Sequence, residues 1–404
     1  MACSHPQNTR ETVVSDNLIG IRLGANRVFV RDHVLLGLLT HRSRPRHHPW
    51  VGAEESTAGG PPPPDELDGS EPPEGGIYGL GDSVAEAQVI VVPVPWEATT
   101  SGARGTIDGP SAIVAASTQV DLFDVELGEP WRAGIAVAPL IEGLEQRADE
   151  ASTSGQRVTQ AFDAGRPLAA TDDQLTRTNE LCDWLATAVV AETDRWQSAG
   201  KLVALVGGDH SVAFGSIAAH AARHPGMGVL QLDAHADLRV AYQGLVGSHA
   251  SVMHRVVSEL SEVSKLVSVG VRDLCLQEHR RIVDSHGSIV AFFDADIANR
   301  LLGGEAFTDL ADQIAAELPQ EVYVTFDVDA LEPSLCPHTG TPVPGGLTFH
   351  QALAVLRAVV RSGRRIVGFD LCEVAPGPDG DWDANVGARL LYKLIGYALL
   401  SRQG

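Results

Sequence analysis

Asp233, His235 and Asp237 occupy alternate positions directly after the apolar run Gly228-Val-Leu-Gln-Leu. In an extended chain successive side chains point to opposite faces, so residues two apart share a face and these three donors can converge on one point. Two other segments repeat the arrangement. Glu321-Val-Tyr-Val-Thr-Phe runs into Asp327 and Asp329, again two apart, and Leu202-Val-Ala-Leu-Val-Gly-Gly-Asp runs into His210. Two His and four Asp make a nitrogen and oxygen set without sulfur, suited to Mn²⁺, Ni²⁺, Co²⁺ or Zn²⁺. Six donors, four of them carboxylates, exceed what one catalytic zinc takes; they suit two ions about 3.5–4 Å apart that share bridging carboxylates. A single Asp closing a strand is an ordinary turn former or helix cap, and a single His an ordinary satisfied polar residue. The reading as a binuclear metal site rests on recurrence after three separate apolar runs.

The elements that must position these donors alternate along the chain from Gln88 onward. Val89-Ile-Val-Val-Pro-Val reads as a buried strand and Gly109-Pro-Ser-Ala-Ile as a helix start. Residues 172–199 carry Leu175, Leu181, Leu185, Ala188 and Val189 near helical spacing and lead through Gly200 into the His210 strand. A helix around Gln351–Arg361 and a strand Arg365–Leu371 follow, the latter delivering Glu373. Strand and helix in alternation predict a three-layer α/β/α fold with a mainly parallel sheet, its site at the carboxyl ends of the strands. Gly207-Gly-Asp-His lacks the Lys and further Gly of a phosphate loop.

With 404 residues and 44% hydrophobic content, the chain can bury one large core, placed at residues 76–404. Residues 1–75 differ in character. Arg42 to Gly76 includes Arg44-Pro-Arg-His-His-Pro, Pro61-Pro-Pro-Pro and Glu71-Pro-Pro-Glu, a composition unable to bury enough apolar surface to order itself, which predicts a largely disordered linker with His47 and His48 as solvated residues. Val34-Leu-Leu-Gly-Leu-Leu falls far short of the roughly 20 residues of a membrane span, and the first residues lack a basic segment leading into an apolar core. A net charge of −22 argues against a nucleic-acid partner and is compatible with a cationic substrate. Five scattered Cys without CxxC spacing fit a reducing cytoplasm.

Gly207-Gly-Asp-His-Ser, Asp233-Ala-His-Ala-Asp and Phe326-Asp-Val-Asp-Ala-Leu-Glu-Pro together resemble the three metal motifs of the ureohydrolases, the arginase and agmatinase family. The resemblance covers about residues 77 to 404. It extends to Pro95-Trp-Glu-Ala-Thr-Thr-Ser-Gly-Ala-Arg-Gly-Thr, Gly109-Pro-Ser-Ala-Ile, Gly340-Thr-Pro-Val-Pro-Gly-Gly-Leu-Thr and Gly368-Phe-Asp-Leu-Cys-Glu-Val-Ala-Pro, in family order. It implies an arginase-like fold, a binuclear manganese site (Ni²⁺ or Co²⁺ being alternatives), release of urea and an amine from a guanidino compound, and a trimer or hexamer. His210, Asp233, His235, Asp237, Asp327 and Asp329 would be the metal ligands. The ions would supply hydroxide near neutral pH to attack the guanidinium carbon. Asp237 would bridge them and accept a hydrogen bond from that hydroxide, and Glu373 would pair with the guanidinium. Thr341 would place its hydroxyl beside the guanidino group. His249, in Gly247-Ser-His-Ala-Ser, would carry the proton to the leaving amine. Without the resemblance, His249 reads as a capping or structural loop residue, Thr341 as a turn residue, and Glu373 as solvated or a helix cap.

Substrate choice turns on the segment between Asp237 and His249, Leu-Arg-Val-Ala-Tyr-Gln-Gly-Leu-Val-Gly-Ser. It lacks the Ser-Gly-Asn element that arginases use on the α-carboxylate and α-amino group, which disfavours arginine, and it looks most like agmatinase sequences. Agmatine leads; free guanidine, guanidinobutyrate, guanidinopropionate and formimino compounds stay open, as does a non-catalytic binding protein. Arg239 in this loop either repels a dication, holds a carboxylate or is solvated, and Tyr242 accompanies it. Glu332 replaces the family's usual Asp before Pro333, a position that is not a ligand. Trp96 and Cys372 flank functional motifs and either shape the pocket or pack.

Overall fold

Eight of the apolar runs become strands of one sheet in the computed structural model, which describes residues 75–403 apart from 167, 171, 379 and 380, and the backbone of 18–23 and 26–31. By contacts the chain divides into two units, Met1–Pro49 and Trp50–Gly404. In the first, β1 (Leu18–Leu23) pairs antiparallel with β2 (Asn26–Arg31), from Leu18 opposite Arg31 to Leu23 opposite Asn26. This hairpin was not foreseen from the sequence. The Val34–Leu39 run, His47, His48, the Pro-rich segment 42–74 and the boundary expected at residue 75 lie outside the described residues.

In the second unit the strands are β3 (Val89–Val94), β4 (Ile135–Val137), β5 (Leu202–Gly207), β6 (Met227–Leu232), β7 (Val263–Val269), β8 (Ile289–Phe292), β9 (Glu321–Asp327) and β10 (Arg365–Cys372). They form one sheet in the order β4-β3-β5-β10-β9-β6-β7-β8. Every neighbouring pair is parallel. The helices are α1 (Gly109–Ser117), α2 (Leu144–Asp163), α3 (Asp173–Ser198), α4 (Ala213–Arg223), α5 (Val252–Glu259), α6 (Leu276–Asp284), α7 (Asp294–Leu302), α8 (Phe307–Glu317), α9 (Phe349–Arg361) and α10 (Trp382–Leu400).

The strands are apolar without alternation because both sheet faces are covered. Val89, Val91, Leu202, Ala204, Val206, Val322 and Val324 pack on one side with Ile113 of α1, Ile314 of α8, Leu353 of α9 and Leu390 of α10. Ile90, Val92, Val203 and Leu205 pack on the other with Ala148 of α2 and Leu185 of α3, and Val229 and Tyr323 with Ile217 of α4 and Val256 of α5. The result is the three-layer α/β/α sandwich expected from the alternation. Local signals set the boundaries. The Asp172 carboxylate caps α3 by accepting from the Gln174 and Leu175 amides at 2.8 and 3.4 Å. Thr348 and Gln351 close a reciprocal capping box at the start of α9.

Candidate active site

The four strands that carry the candidate residues are adjacent in the sheet: β5 precedes His210, β10 precedes Glu373, β9 ends at Asp327 and β6 precedes Asp233. Neighbouring strands lie about 4.8 Å apart, so side chains at their carboxyl ends are brought within reach of one another. The chain goes from β5 directly to β6 and only later fills the two places between them, and the site sits over that crossover, where open parallel sheets place their ligands.

His210 Nδ1 lies 3.2 Å from Asp233 Oδ2, 3.0 Å from Asp237 Oδ2 and 3.5 Å from Asp327 Oδ2. His235 Nδ1 lies 3.0 Å from Asp329 Oδ2 and 3.6 Å from Asp233 Oδ1. Donor atoms of His210, Asp233 and Asp327, and of Asp233, His235 and Asp329, form two groups, each within 4.8 Å. Asp233 is common to both, with one oxygen facing each imidazole. Asp237, assigned a bridging role by resemblance, has its Oδ2 3.0 Å from His210 Nδ1 and a left-handed backbone (φ 53). Two of the carboxylates also close turns, Asp327 Oδ1 accepting from the Asp329 amide at 2.9 Å and Asp233 Oδ1 from the His235 amide at 2.6 Å, while Asp329 Oδ1 ties the two segments together by accepting from the Ala234 amide at 2.9 Å. Capping and clustering are therefore done by the same side chains.

A second layer, not singled out from the sequence, orients these donors. His210 Nε2 is 2.8 Å from Thr325 Oγ1, which donates to Asp370 Oδ1 at 2.9 Å. Ser268 donates to Gln231 Oε1 at 2.6 Å, and Gln231 Nε2 donates to Asp233 Oδ2 at 2.9 Å. The available signal was polarity inside apolar strands: Gln231, Ser268, Thr325 and Asp370 are all buried in β6, β7, β9 and β10. Partners of this kind fix the orientation of metal-type imidazoles and carboxylates.

The electrostatics test whether divalent ions fit. Asp233, Asp237, Asp327, Asp329 and Glu373 are all buried, and among the described residues no Lys or Arg forms an ion pair with any of them. Desolvation, then Asp329 and the other nearby carboxylates, push Asp327 well above the usual carboxylate range. Desolvation and Asp233 raise Asp237 to about 7. Burial opposes charging His235, but Asp233 and Asp329 prevail and raise it to about 12. Buried anions facing two imidazoles, with hard oxygen and imidazole donors already converged, form a cradle short of positive charge; divalent cations supply it. The donor set fits the group.

A cavity of about 320 Å³ opens onto this cluster, lined by His235, Asp237, His249, Thr341, Arg239 and Asp273 among others. Thr341 Oγ1 is 3.4 Å from Asp329 Oδ2. Glu373 is held from two sides: its Oε1 accepts from the His210 amide at 2.8 Å, and its own amide donates to the Gly208 carbonyl at 2.8 Å. It too has a left-handed backbone, with φ 64, an uncommon state for Glu. Arg239 stacks on Tyr242, 4.9 Å from the ring centroid, and leans toward Glu278 at 3.7 Å, so its charge is partly committed. Asp273, absent from the sequence expectations, is exposed in the cavity wall; its amide donates to the Ala234 carbonyl at 3.1 Å, and its carboxylate has no hydrogen-bond or ion-pair partner among the described residues. Trp96 and Cys372 are fully buried in the core and do not line the cavity.

Gly208 shows how tightly the His210 turn is built. A Cβ there would lie 2.0 Å from the Trp96 carbonyl oxygen, a backbone atom that cannot swing away. Gly208→Ala is expected to cost about 1–3 kcal/mol or more, the usual range for overpacking. Thermal denaturation of the purified variant checks this; an unchanged midpoint would show that the turn has slack.

Residues 87–396 match the Arginase family. The chain is 34% identical over 323 residues to the N(1)-aminopropylagmatine ureohydrolase of Thermus thermophilus, across 79% of this chain and 94% of that protein. It is 30% identical to the agmatinase of Proteus mirabilis, across 77% of this chain and 87% of that one. The crystal structure of the agmatine ureohydrolase of Thermoplasma volcanium aligns with a TM-score of 0.62 at 21% identity, over 80% of this chain and 93% of that one. Fold, donor set and relatives together define a metal-dependent hydrolase of linear amidine C–N bonds. The chain belongs to the arginase family, among its agmatinase-like ureohydrolases. Enzymes of this family use a binuclear divalent metal centre. Among the described residues, no helix is long and apolar enough to cross a membrane.

Proposed function

We propose that this enzyme hydrolyses the guanidino group of a small guanidino amine, agmatine first among them, to urea and the free amine, with two Mn²⁺ ions held by His210, Asp233, His235, Asp237, Asp327 and Asp329. The observation that carries the reading is the pair of donor groups sharing Asp233, with His235 of one group and the adjoining Asp237 in the wall of a cavity. When bound, such ions supply a strong nucleophile from water at neutral pH and Lewis acidity at the reacting carbon. The chain's own residues do the rest. Glu373, buried beside His210, binds the planar cation and holds its carbon near the donor groups. Thr341 offers a hydroxyl beside it. His249 moves the proton that the departing nitrogen needs; desolvation, and the nearby His235 and His210 imidazoles, lower its pKa against the pull of Asp209, which favours the neutral base.

The tail preference follows from the wall. The unpartnered carboxylate of Asp273, with Arg239 committed toward Glu278, favours a cationic tail over the carboxylate of a guanidino acid. The relatives' names point the same way, since they act on agmatine or its aminopropyl derivative. We take assembly as a trimer or hexamer and residence in the cytoplasm as part of this reading; the described cysteines are free thiols, as a reducing compartment requires.

The test is urea release from agmatine, N(1)-aminopropylagmatine, guanidine, 4-guanidinobutyrate, 3-guanidinopropionate and arginine, with the full chain loaded separately with Mn²⁺, Ni²⁺ and Co²⁺. Turnover of a guanidino amine above the acids is expected. Release from the acids alone would reverse the tail assignment. Ammonia or formamide from a formimino compound, with no urea from any member, would refute the reaction class. Two ions bound without any turnover would favour a binding protein.

A further inference from the structure

His249 stands at the end of a hydrogen-bond chain that begins on a carboxylate outside the ligand set. Asp209 is fully buried, and among the described residues no Lys or Arg forms an ion pair with it. Its Oδ2 accepts from the amides of Ala98 and Thr99, both at 3.0 Å, and lies 3.1 Å from Thr99 Oγ1. Its Oδ1 accepts from the Ser211 amide at 3.2 Å and from the Ser211 hydroxyl. Thr99 Oγ1 in turn accepts from the His249 backbone amide at 2.9 Å and lies 3.2 Å from His249 Nδ1.

The shorter of these contacts favour one placement of protons. The Thr99 hydroxyl has a single proton and an ionised carboxylate can only accept, so that proton points to Asp209 Oδ2. Thr99 Oγ1 then has only lone pairs for His249, and Nδ1 must carry the N–H of the neutral ring. Ser248 Oγ, farther from Nδ1 at 3.4 Å, can accept from the same N–H. Nε2 is left with its lone pair on the other edge of the ring, where Ser101, a cavity-lining residue, approaches it at 3.4 Å.

We propose that Asp209 and Thr99 are positioning residues that hold His249 in its Nδ1–H tautomer and present the Nε2 lone pair to the reaction cavity. The proposal rests on the reading of His249 as the proton carrier. As the attacking water oxygen bonds to the guanidinium carbon, one of its protons goes to Nε2. As the C–N bond breaks and its electron pair leaves with the departing nitrogen, Nε2 returns that proton to it. The proton left on the former water oxygen goes to the released amine, so one guanidinium and one water become urea and a protonated amine, and the imidazole ends as it began. The opposite tautomer fails at the first step, because its Nε2–H cannot accept.

The experiment compares Thr99→Val, which removes the hydroxyl at nearly constant shape, with Thr99→Ser, which keeps it. His249→Asn serves as the reference. Thr99→Val is expected to lower kcat about 10- to 100-fold, by analogy with loss of a partner that orients a metal-ligating imidazole, with KM within a few-fold of wild type. Thr99→Ser is expected to restore most of kcat. Protein labelled with ¹³C,¹⁵N-histidine supplies a readout independent of turnover. The His249 signal, assigned by its loss in His249→Asn, is expected to show a protonated Nδ1 and an imine-type Nε2 in wild type and Thr99→Ser, and that preference is expected to vanish in Thr99→Val. A wild-type spectrum with Nε2 protonated overturns the proposal even if Thr99→Val does not fold. So does full kcat in Thr99→Val where His249→Asn is inactive. Full activity in His249→Asn would instead remove the reading on which the proposal rests.

Discussion

Asp327→Asn is expected to reduce urea release by about three orders of magnitude or more and, unlike most core substitutions, to leave the metal-free protein at least as stable as wild type. Asp327 Oδ2 sits 3.5 Å from His210 Nδ1, within the first donor group. Its Oδ1 accepts from the Asp329 amide at 2.9 Å, a bond that the Asn carbonyl can keep. What the substitution removes is charge. Two like charges about 4 Å apart repel by up to roughly 4 kcal/mol at an effective dielectric of 20, and Asp327 faces Asp329, Asp233 and Glu373. Without ions, fewer buried carboxylates means less repulsion, so the melting temperature measured in chelator should rise or hold. With ions the sign reverses. Wild type gains stability by mass action as the ions bind, and the variant should gain less and bind fewer ions by elemental analysis. A loss of several kcal/mol of metal-derived stabilisation in the transition state corresponds to the stated fall in rate. If Asp327→Asn melted lower than wild type in chelator, yet gained as much on adding Mn²⁺, the carboxylate cluster would not be a metal site.

The same physics explains what the sequence reveals and what it hides. Spacing by two at a strand end is a local, geometric signal, so Asp233, His235, Asp237, Asp327 and Asp329 are legible without a structure, and the apolar runs before them also foretell a doubly covered parallel sheet. The convergence of His210 with Asp233, 23 positions later in the chain, depends on strand order. No local pattern encodes that β10 and β9 fill the gap between β5 and β6. Asp273 is hidden for a related reason: it enters the cavity wall from the loop after β7, beside His235, by a backbone bridge between distant segments. Asp209 and Thr99 were visible as motif letters, but their work became readable only once hydrogen-bond partners 110 positions apart were known. The β1–β2 hairpin shows the limit from the other side, since two six-residue runs, Leu18–Leu23 and Asn26–Arg31, carry no local mark of the ladder that pairs them.

Glu373→Gln is expected to lower kcat/KM for a guanidino substrate by about 30- to several-thousand-fold while leaving two ions bound. Removing one member of a buried charge pair costs on the order of 2–5 kcal/mol, and each 1.36 kcal/mol is tenfold in rate. Glu373 suits the test because its surroundings already account for one oxygen only. Oε1 accepts from the His210 amide, and Oε2 faces Gly340, where even an added Cβ would come no nearer than 3.3 Å. Among the described residues no Lys or Arg forms an ion pair with it, and desolvation followed by the charge of Asp209 pushes it well above the usual carboxylate range. A buried carboxylate in that state favours an incoming cation, and a planar guanidinium matches its two oxygens. The strained backbone at φ 64 is held by the Glu373 amide on Gly208 and by the Thr339 hydroxyl on the Glu373 carbonyl at 2.8 Å, bonds that Gln keeps. The variant should therefore fold, bind metal and fail in binding the guanidinium, the converse of Asp327→Asn. Kinetics matched to wild type at full metal occupancy would mean that the guanidinium is held elsewhere, and the carboxylates left to hold it would be those of the metal cluster itself.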